Sequence, residues 1–215
     1  MPAGQSFKTI ALVTALIALG AGVGFCSARY YRSPPQPQIE GLLWPNPKQL
    51  GPFAAIDQDG RTFGLDRLLG KWTFLFFGYT HCPDVCPITL AVLAQLEREI
   101  GNGSDAGGVQ TVFVTVDPGR DTTPRLREYV RYFSPRLVGI GGTQAQIESL
   151  TGPLGIAVLI GPPDGNGNYA VDHSASVFLT DPKGRLVAVF GAPHDATAIL
   201  GRFRQIRAFI ERVDA

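Results

Sequence analysis

Cys82 and Cys86 lie within the stretch Gly78-Tyr79-Thr80-His81-Cys82-Pro83-Asp84-Val85-Cys86-Pro87-Ile88. Two thiols at this spacing can close a disulfide or grip one soft metal ion. The 215-residue chain has only one other cysteine, Cys26. Three cysteines are too few for a disulfide-stapled scaffold, so the clustered pair points to redox or metal chemistry. A metal needs further ligands. Of three histidines, His173 is the one to weigh, in Tyr169-Ala170-Val171-Asp172-His173-Ser174-Ala175-Ser176. Taken alone, such a histidine is more often a hydrogen-bonded structural group than a ligand.

The elements that must position these residues are legible. Upstream of the cysteines, residues 72–77 (WTFLFF) are a continuous apolar run, the pattern of a strand buried on both faces. Downstream, Leu90, Leu93, Leu96 and Ile100 recur at helical spacing. The cysteines therefore sit where a buried strand hands over to a helix N-terminus. Its unpaired N–H groups and dipole favour a thiolate. A helix beginning near Pro83 would stack both sulfurs on one face, one turn apart.

Residues 53–56 and the turn Asp57-Gln58-Asp59-Gly60 open the globular part with two short strands. After the central strand and helix come a polar loop at 101–108 and a β-branched strand at 109–116. Thr123-Pro124 reads as N-cap and first helical position. Leu126, Tyr129, Val130 and Phe133 supply that helix's apolar face. A strand at 137–140, a helix at 144–150, a strand at 156–160 and a glycine-rich loop at 161–168 follow. Residues 175–179 and 186–190 flank Asp181-Pro182-Lys183-Gly184 as a hairpin, and a last helix runs from about 195 to 213. Ile199, Phe203, Ile206 and Ile210 face inward, with Arg202, Arg204, Arg207 and Arg212 on a solvated face.

Strands alternating with helices, then a hairpin and closing helix, predict an α/β fold with a mixed central sheet. A cysteine pair after the first buried strand resembles a thioredoxin-like fold. Thioredoxins carry Cys-x-x-Cys; the extra residue here widens the pair toward a metal bite. In that topology the loop before the hairpin faces the cysteines, so the expected ligands are Cys82, Cys86 and His173. Two thiolates and an imidazole suit Cu(I), and also Cu(II) by the Irving–Williams order. Structural zinc would want a fourth ligand. His81 is expected to point away from Cys82, and His194 to serve a polar helix end.

Residues 9–28 carry no charge and are long enough to cross a bilayer core. The expected organisation is a short N-terminus (1–8), a transmembrane anchor (9–28), a proline-rich spacer (29–50) and the copper-binding domain (51–215). A cleaved signal peptide with Cys26-Ser27-Ala28 at its end is the rival reading. Lys8 stands against Arg29 and Arg32, so charge leaves the orientation open. Trp44 in the spacer either docks on the domain or sits at the lipid interface. A formal net charge of +1 gives no reason to invoke nucleic acid.

The stretch from Phe76 to Pro87, with Val116-Asp117-Pro118, Arg120-Asp121-Thr122, Val171-Asp172-His173 and Asp181-Pro182-Lys183-Gly184-Arg185-Leu186, resembles the Sco/SenC family. The resemblance runs from about Gly41 to the C-terminus. It implies a membrane-anchored copper protein of cytochrome c oxidase assembly, with one copper per chain on Cys82, Cys86 and His173. It further implies a single-pass protein of a bacterial inner membrane whose short N-terminus (1–8) is cytoplasmic and whose C-terminal domain faces the periplasm. The implied partners are oxidase subunit II, with its binuclear copper centre, and other copper chaperones.

Three functions compete. The first is a metallochaperone; the second is a thiol–disulfide oxidoreductase that uses the same cysteines and reduces the copper-site cysteines of subunit II. The third is a peroxidase of peroxiredoxin type, suggested by Val85-Cys86-Pro87. Peroxiredoxins hold peroxide with a threonine where this chain has Pro83, which counts against it. Asp117, Arg120 and Asp121 follow a buried strand near the cysteines. They either shape the site electrostatically or hold their loop, Arg120 pairing with Asp121.

Overall fold

The computed structural model describes residues 3–30, 38–101, 108–165 and 168–215; in the first helix, side chains are described at 12–25 and 27. The chain divides into two units, residues 1–37 and 38–215. The first contains α1 (Ala3–Tyr30), a single 28-residue helix. Its apolar side chains Leu12, Leu16, Ile17, Leu19 and Phe25 are exposed. Among the described residues no helix is long and apolar enough to cross a membrane. The expected span at 9–28 reaches past those side chains at both ends, Cys26 included. Part of the expected spacer (31–37) and parts of the loops at 101–108 and 161–168 also lie outside the described residues.

In the second unit the strands are β1 (Lys48–Gln49), β2 (Ala54–Asp57), β3 (Thr62–Gly64), β4 (Trp72–Gly78) and β5 (Val109–Thr115). They continue with β6 (Val138–Gly141), β7 (Val158–Ile160), β8 (Val171–His173), β9 (Val177–Thr180) and β10 (Arg185–Phe190). The helices are α2 (Val85–Gly101), α3 (Thr123–Phe133), α4 (Gln144–Leu154) and α5 (Ala196–Val213). Among the described residues, eight strands form one mixed sheet in the order β1-β10-β9-β4-β5-β6-β2-β3, while β7 and β8 pair apart from it.

The sheet is built on β4 because all seven of its residues are buried and demand cover on both faces. It pairs in parallel with β5, placing Gly78 beside Thr115, and antiparallel with β9. Trp72 and Phe74 meet Phe203 of α5 at ring separations of 5.6 and 5.3 Å, while Phe77 meets Phe178 on the other face. Each such side chain contributes about 1.5–3 kcal/mol on burial. The inward residues expected for α5 (Ile199, Phe203, Ile206 and Ile210) are buried.

Helix ends depart from the sequence reading where caps decide. The Thr122 side chain, not Thr123, accepts from Arg125 N–H, so α3 starts one residue early and Pro124 lies in its first turn. α4 opens on a Thr143–Gln146 capping box and runs four residues past 150, carrying Pro153 in its last turn, before Gly155 turns left-handed.

Residues 41–50, read as spacer, lie along the sheet edge instead. Leu43 N–H donates to Val187 O at 2.7 Å, Val189 N–H donates to Gly41 O at 2.9 Å, and β1 pairs with β10. Gly41 has φ +85° and backs onto the Val189 carbonyl, leaving no room for a side chain. Trp44 docks edge-on against Phe209 of α5, 5.2 Å between ring centres, which decides its place in favour of the domain.

Candidate metal centre

The chemistry-bearing residues collect where β4 and β5 end. After Gly78 the chain turns, Cys82 N–H donating to Tyr79 O at 3.3 Å, and α2 begins only at Val85. Cys82 thus belongs to the turn and Cys86 to the first turn of the helix. This corrects the expected helical stack from Pro83: Pro83 and Asp84 are spent in the turn. Both thiols are free; Cys82 is half-buried and Cys86 fully buried.

Gly78 makes the burial of Cys86 possible. A Cβ on it would stand 2.8 Å from Cys86 Sγ and 2.9 Å from the Phe113 ring. The sulfur occupies the room that a side chain would need.

Burial dominates the titration of Cys86, pushing its thiol well above the ordinary range. A hydrogen bond from the Tyr79 backbone opposes the shift, and the neighbouring Cys82 adds to it. The expected preference of the helix end for a thiolate is opposed at Cys86, where loss of hydration outweighs the Tyr79 backbone hydrogen bond. Burial thus favours the neutral thiol at Cys86.

His173, the last residue of β8, brings Nε2 to 3.5 Å from Cys86 Sγ across 87 positions of sequence. Its Nδ1 lies 3.0 Å from Ser174 O. A carbonyl only accepts, so Nδ1 carries the proton and Nε2 turns its lone pair to the sulfur. Tyr79 and Phe76 set ring edges against the imidazole at 5.9 and 6.3 Å. A metal–sulfur bond of about 2.3 Å and a metal–nitrogen bond of about 2.0 Å at a tetrahedral angle span about 3.5 Å, so the pair fits one small ion. Among the described residues no three His, Cys, Asp or Glu side chains are gathered as a metal cluster. What is assembled is the Cys86–His173 pair, with Cys82 interacting with Cys86.

The next residues out are acidic and hydroxylic. Buried Asp121 accepts from Thr80 N–H (2.9 Å), Thr80 Oγ1 (2.7 Å) and Thr115 Oγ1 (2.6 Å). It ties the cysteine turn to the end of β5. Arg120 pairs with Asp117, not with Asp121 as its neighbour in sequence suggested. Tyr169 O–H donates to Asp117 Oδ1 at 2.8 Å, and the Arg120 guanidinium lies 3.5 Å over the Tyr169 ring. His81 Nδ1 lies 3.2 Å from Thr80 Oγ1 and 3.4 Å from Asp121 Oδ1. His194 Nε2 lies 2.7 Å from Ala175 O, a polar role near the start of α5. Sequence reasoning missed Thr80 and Tyr169, which have no spacing signal because their partners come from other loops.

Comparison with known proteins places the chain in a family. The SCO1/SenC family model matches residues 45–208. The chain is 34% identical to the bovine mitochondrial protein SCO2 homolog over 99% of its own length and 80% of that protein. It is similar to ScoI of Arabidopsis thaliana, solved with copper bound (TM-score 0.67, 36% identity, covering 72% of this chain and 98% of that one). It is likewise similar to ScoI of Bradyrhizobium japonicum, solved with copper bound (TM-score 0.65, 36% identity, 73% and 98% covered). With the family model matched over residues 45–208 and a relative 34% identical over nearly the whole chain, this chain belongs to the SCO1/SenC family.

Proposed function

We propose that the chain is a membrane-anchored copper chaperone that loads the binuclear copper centre of cytochrome c oxidase subunit II. It takes one copper as cargo on Cys82, Cys86 and His173. The observation that carries the reading is the Cys86–His173 approach at 3.5 Å, with Nε2 left free by the Nδ1–Ser174 hydrogen bond. Two relatives at 36% identity were solved with copper bound. A half-buried Cys82 receives the ion first; Cys86 then gives up its proton, and the imidazole closes the set. α1 holds the domain at an inner membrane, on the periplasmic side.

The free, neighbouring thiols favour a second reading, reduction of a partner's disulfide. The Cys82 thiolate would attack one partner sulfur, releasing the other as a thiolate. Cys86 would then attack Cys82 Sγ, giving the Cys82–Cys86 disulfide and the second partner thiol. That chemistry needs no imidazole. His173→Ala in cells therefore separates the two: the expected result is loss of stable Cu(II) binding and of oxidase assembly, while the Cys82–Cys86 disulfide still forms and is still reduced. Normal oxidase assembly with a copper-free variant would make the cysteines a reductant alone.

A further inference from the structure

His173 is carried by a weak element. β8 has three residues, and among the described residues its only strand partner is β7, also three residues long, with Leu159 and Ile160 exposed. A lone two-stranded hairpin is marginal in water, so what places the imidazole must be side-chain ties to the body. Downstream, His194 Nε2 meets Ala175 O at 2.7 Å. Upstream, Val171 is buried in the core with its backbone hydrogen-bonded to Tyr79, and the further tie is Tyr169: its hydroxyl reaches Asp117 at 2.8 Å and its ring lies under Arg120 at 3.5 Å. Asp117 is itself buried, and its N–H donates to Thr115 Oγ1 at 3.0 Å, so the anchor point is rigid. Arg120 also faces the Tyr79 ring at 5.6 Å, and Tyr79 packs edge-on against His173.

We propose that Tyr169 is a positioning residue, a latch that holds the β7–β8 hairpin and thereby sets how fast His173 lets a bound copper go. This rests on the copper reading above and extends it: release is controlled four residues from the ligand, through the Tyr169–Asp117 hydrogen bond and the Arg120 stack. Opening the latch frees the hairpin without unpairing the central sheet, because β7 and β8 share no ladder with it.

The test uses the full chain in detergent micelles, with Tyr169→Phe to remove the hydroxyl and Tyr169→Ala to remove the stack as well. In the metal-free protein, amide hydrogen exchange at Val171–His173 should quicken about tenfold in Tyr169→Phe and further in Tyr169→Ala. Exchange in β4 and β5 should not change. In the copper-loaded protein, transfer to a strong chelator should quicken by a similar factor, with one copper per chain and the nitrogen signature of the wild-type spectrum retained. Unchanged exchange at Val171–His173 in both variants would overturn the latch, as would exchange that rises equally throughout the sheet. If the wild-type chain takes up no copper, the chaperone reading falls, and the metal-free exchange measurement still decides the latch.

Discussion

Gly78 and Cys86 share one space: the sulfur of the second fills what would be the side chain of the first, 2.8 Å from where a Cβ would stand. The Phe113 ring closes the other side at 2.9 Å, so neither neighbour can move off freely. Gly78→Ala should lower stability by about 1–3 kcal/mol through overpacking and displace Cys86 toward solvent. Denaturant unfolding beside a copper titration checks this. A variant of wild-type stability and copper affinity would show that the close approach is unimportant.

The burial of Cys86 gives a pH dependence with a definite sign. Its folded pKa lies above the ordinary thiol value of about 8.5, so the stability linked to the neutral form is fully present below that pH and is lost as pH rises beyond it. Copper uptake must expel the proton of each thiol that binds as thiolate, and apparent affinity should climb as pH rises from about 6 to 8, approaching tenfold per unit for each proton released. In the native metal-free chain at pH 8, iodoacetamide should label Cys82 and spare Cys86, as peptide mapping would report. Equal labelling of both would refute the assignment.

Asp121 is the clamp behind the cysteine turn. Removing its carboxylate leaves Thr80 N–H and two hydroxyls without their acceptor in a buried site. Asp121→Ala should cost about 2–4 kcal/mol, and Thr115→Val, which removes one donor to Asp121 and the acceptor of the Asp117 N–H, about 1–3 kcal/mol. Chemical denaturation measures both, and near-wild-type stability of Asp121→Ala would argue that the turn holds itself.

The uncharged stretch at 9–28 sets an expectation for the whole chain. The mature protein should sediment with membranes and resist carbonate extraction. A soluble mature form starting near Arg29 would mean that the segment is a cleaved leader.

Long apolar runs were the most legible part. The 72–77 run led directly to β4, and the 3.6-residue spacing of Leu90, Leu93 and Leu96 led to α2. The approach of His173 to Cys86 across 87 positions was legible only through the thioredoxin-like topology and the family resemblance, not through any local pattern. Finer features depended on contacts that no local pattern encodes. The start of α2 moved because Cys82 N–H bonds back to Tyr79, and the role of Tyr169 depends on an aspartate 52 positions away. Residues 41–50 looked like linker because their prolines and lack of periodicity hide an edge contact made with β10.

That edge contact has a consequence for aggregation. β10 carries Leu186, Val187 and Ala188, all buried, and without the segment from Gly41 to Leu50 its outer row of N–H and C=O groups would be open. An uncovered apolar edge is a template for another chain's strand. The strap occupies it with a two-residue strand that begins with exposed Lys48, too short and too charged to recruit a further copy. The same ten residues that lead into the domain therefore insulate it, and a chain trimmed to begin at residue 51 would be left with a sticky flank.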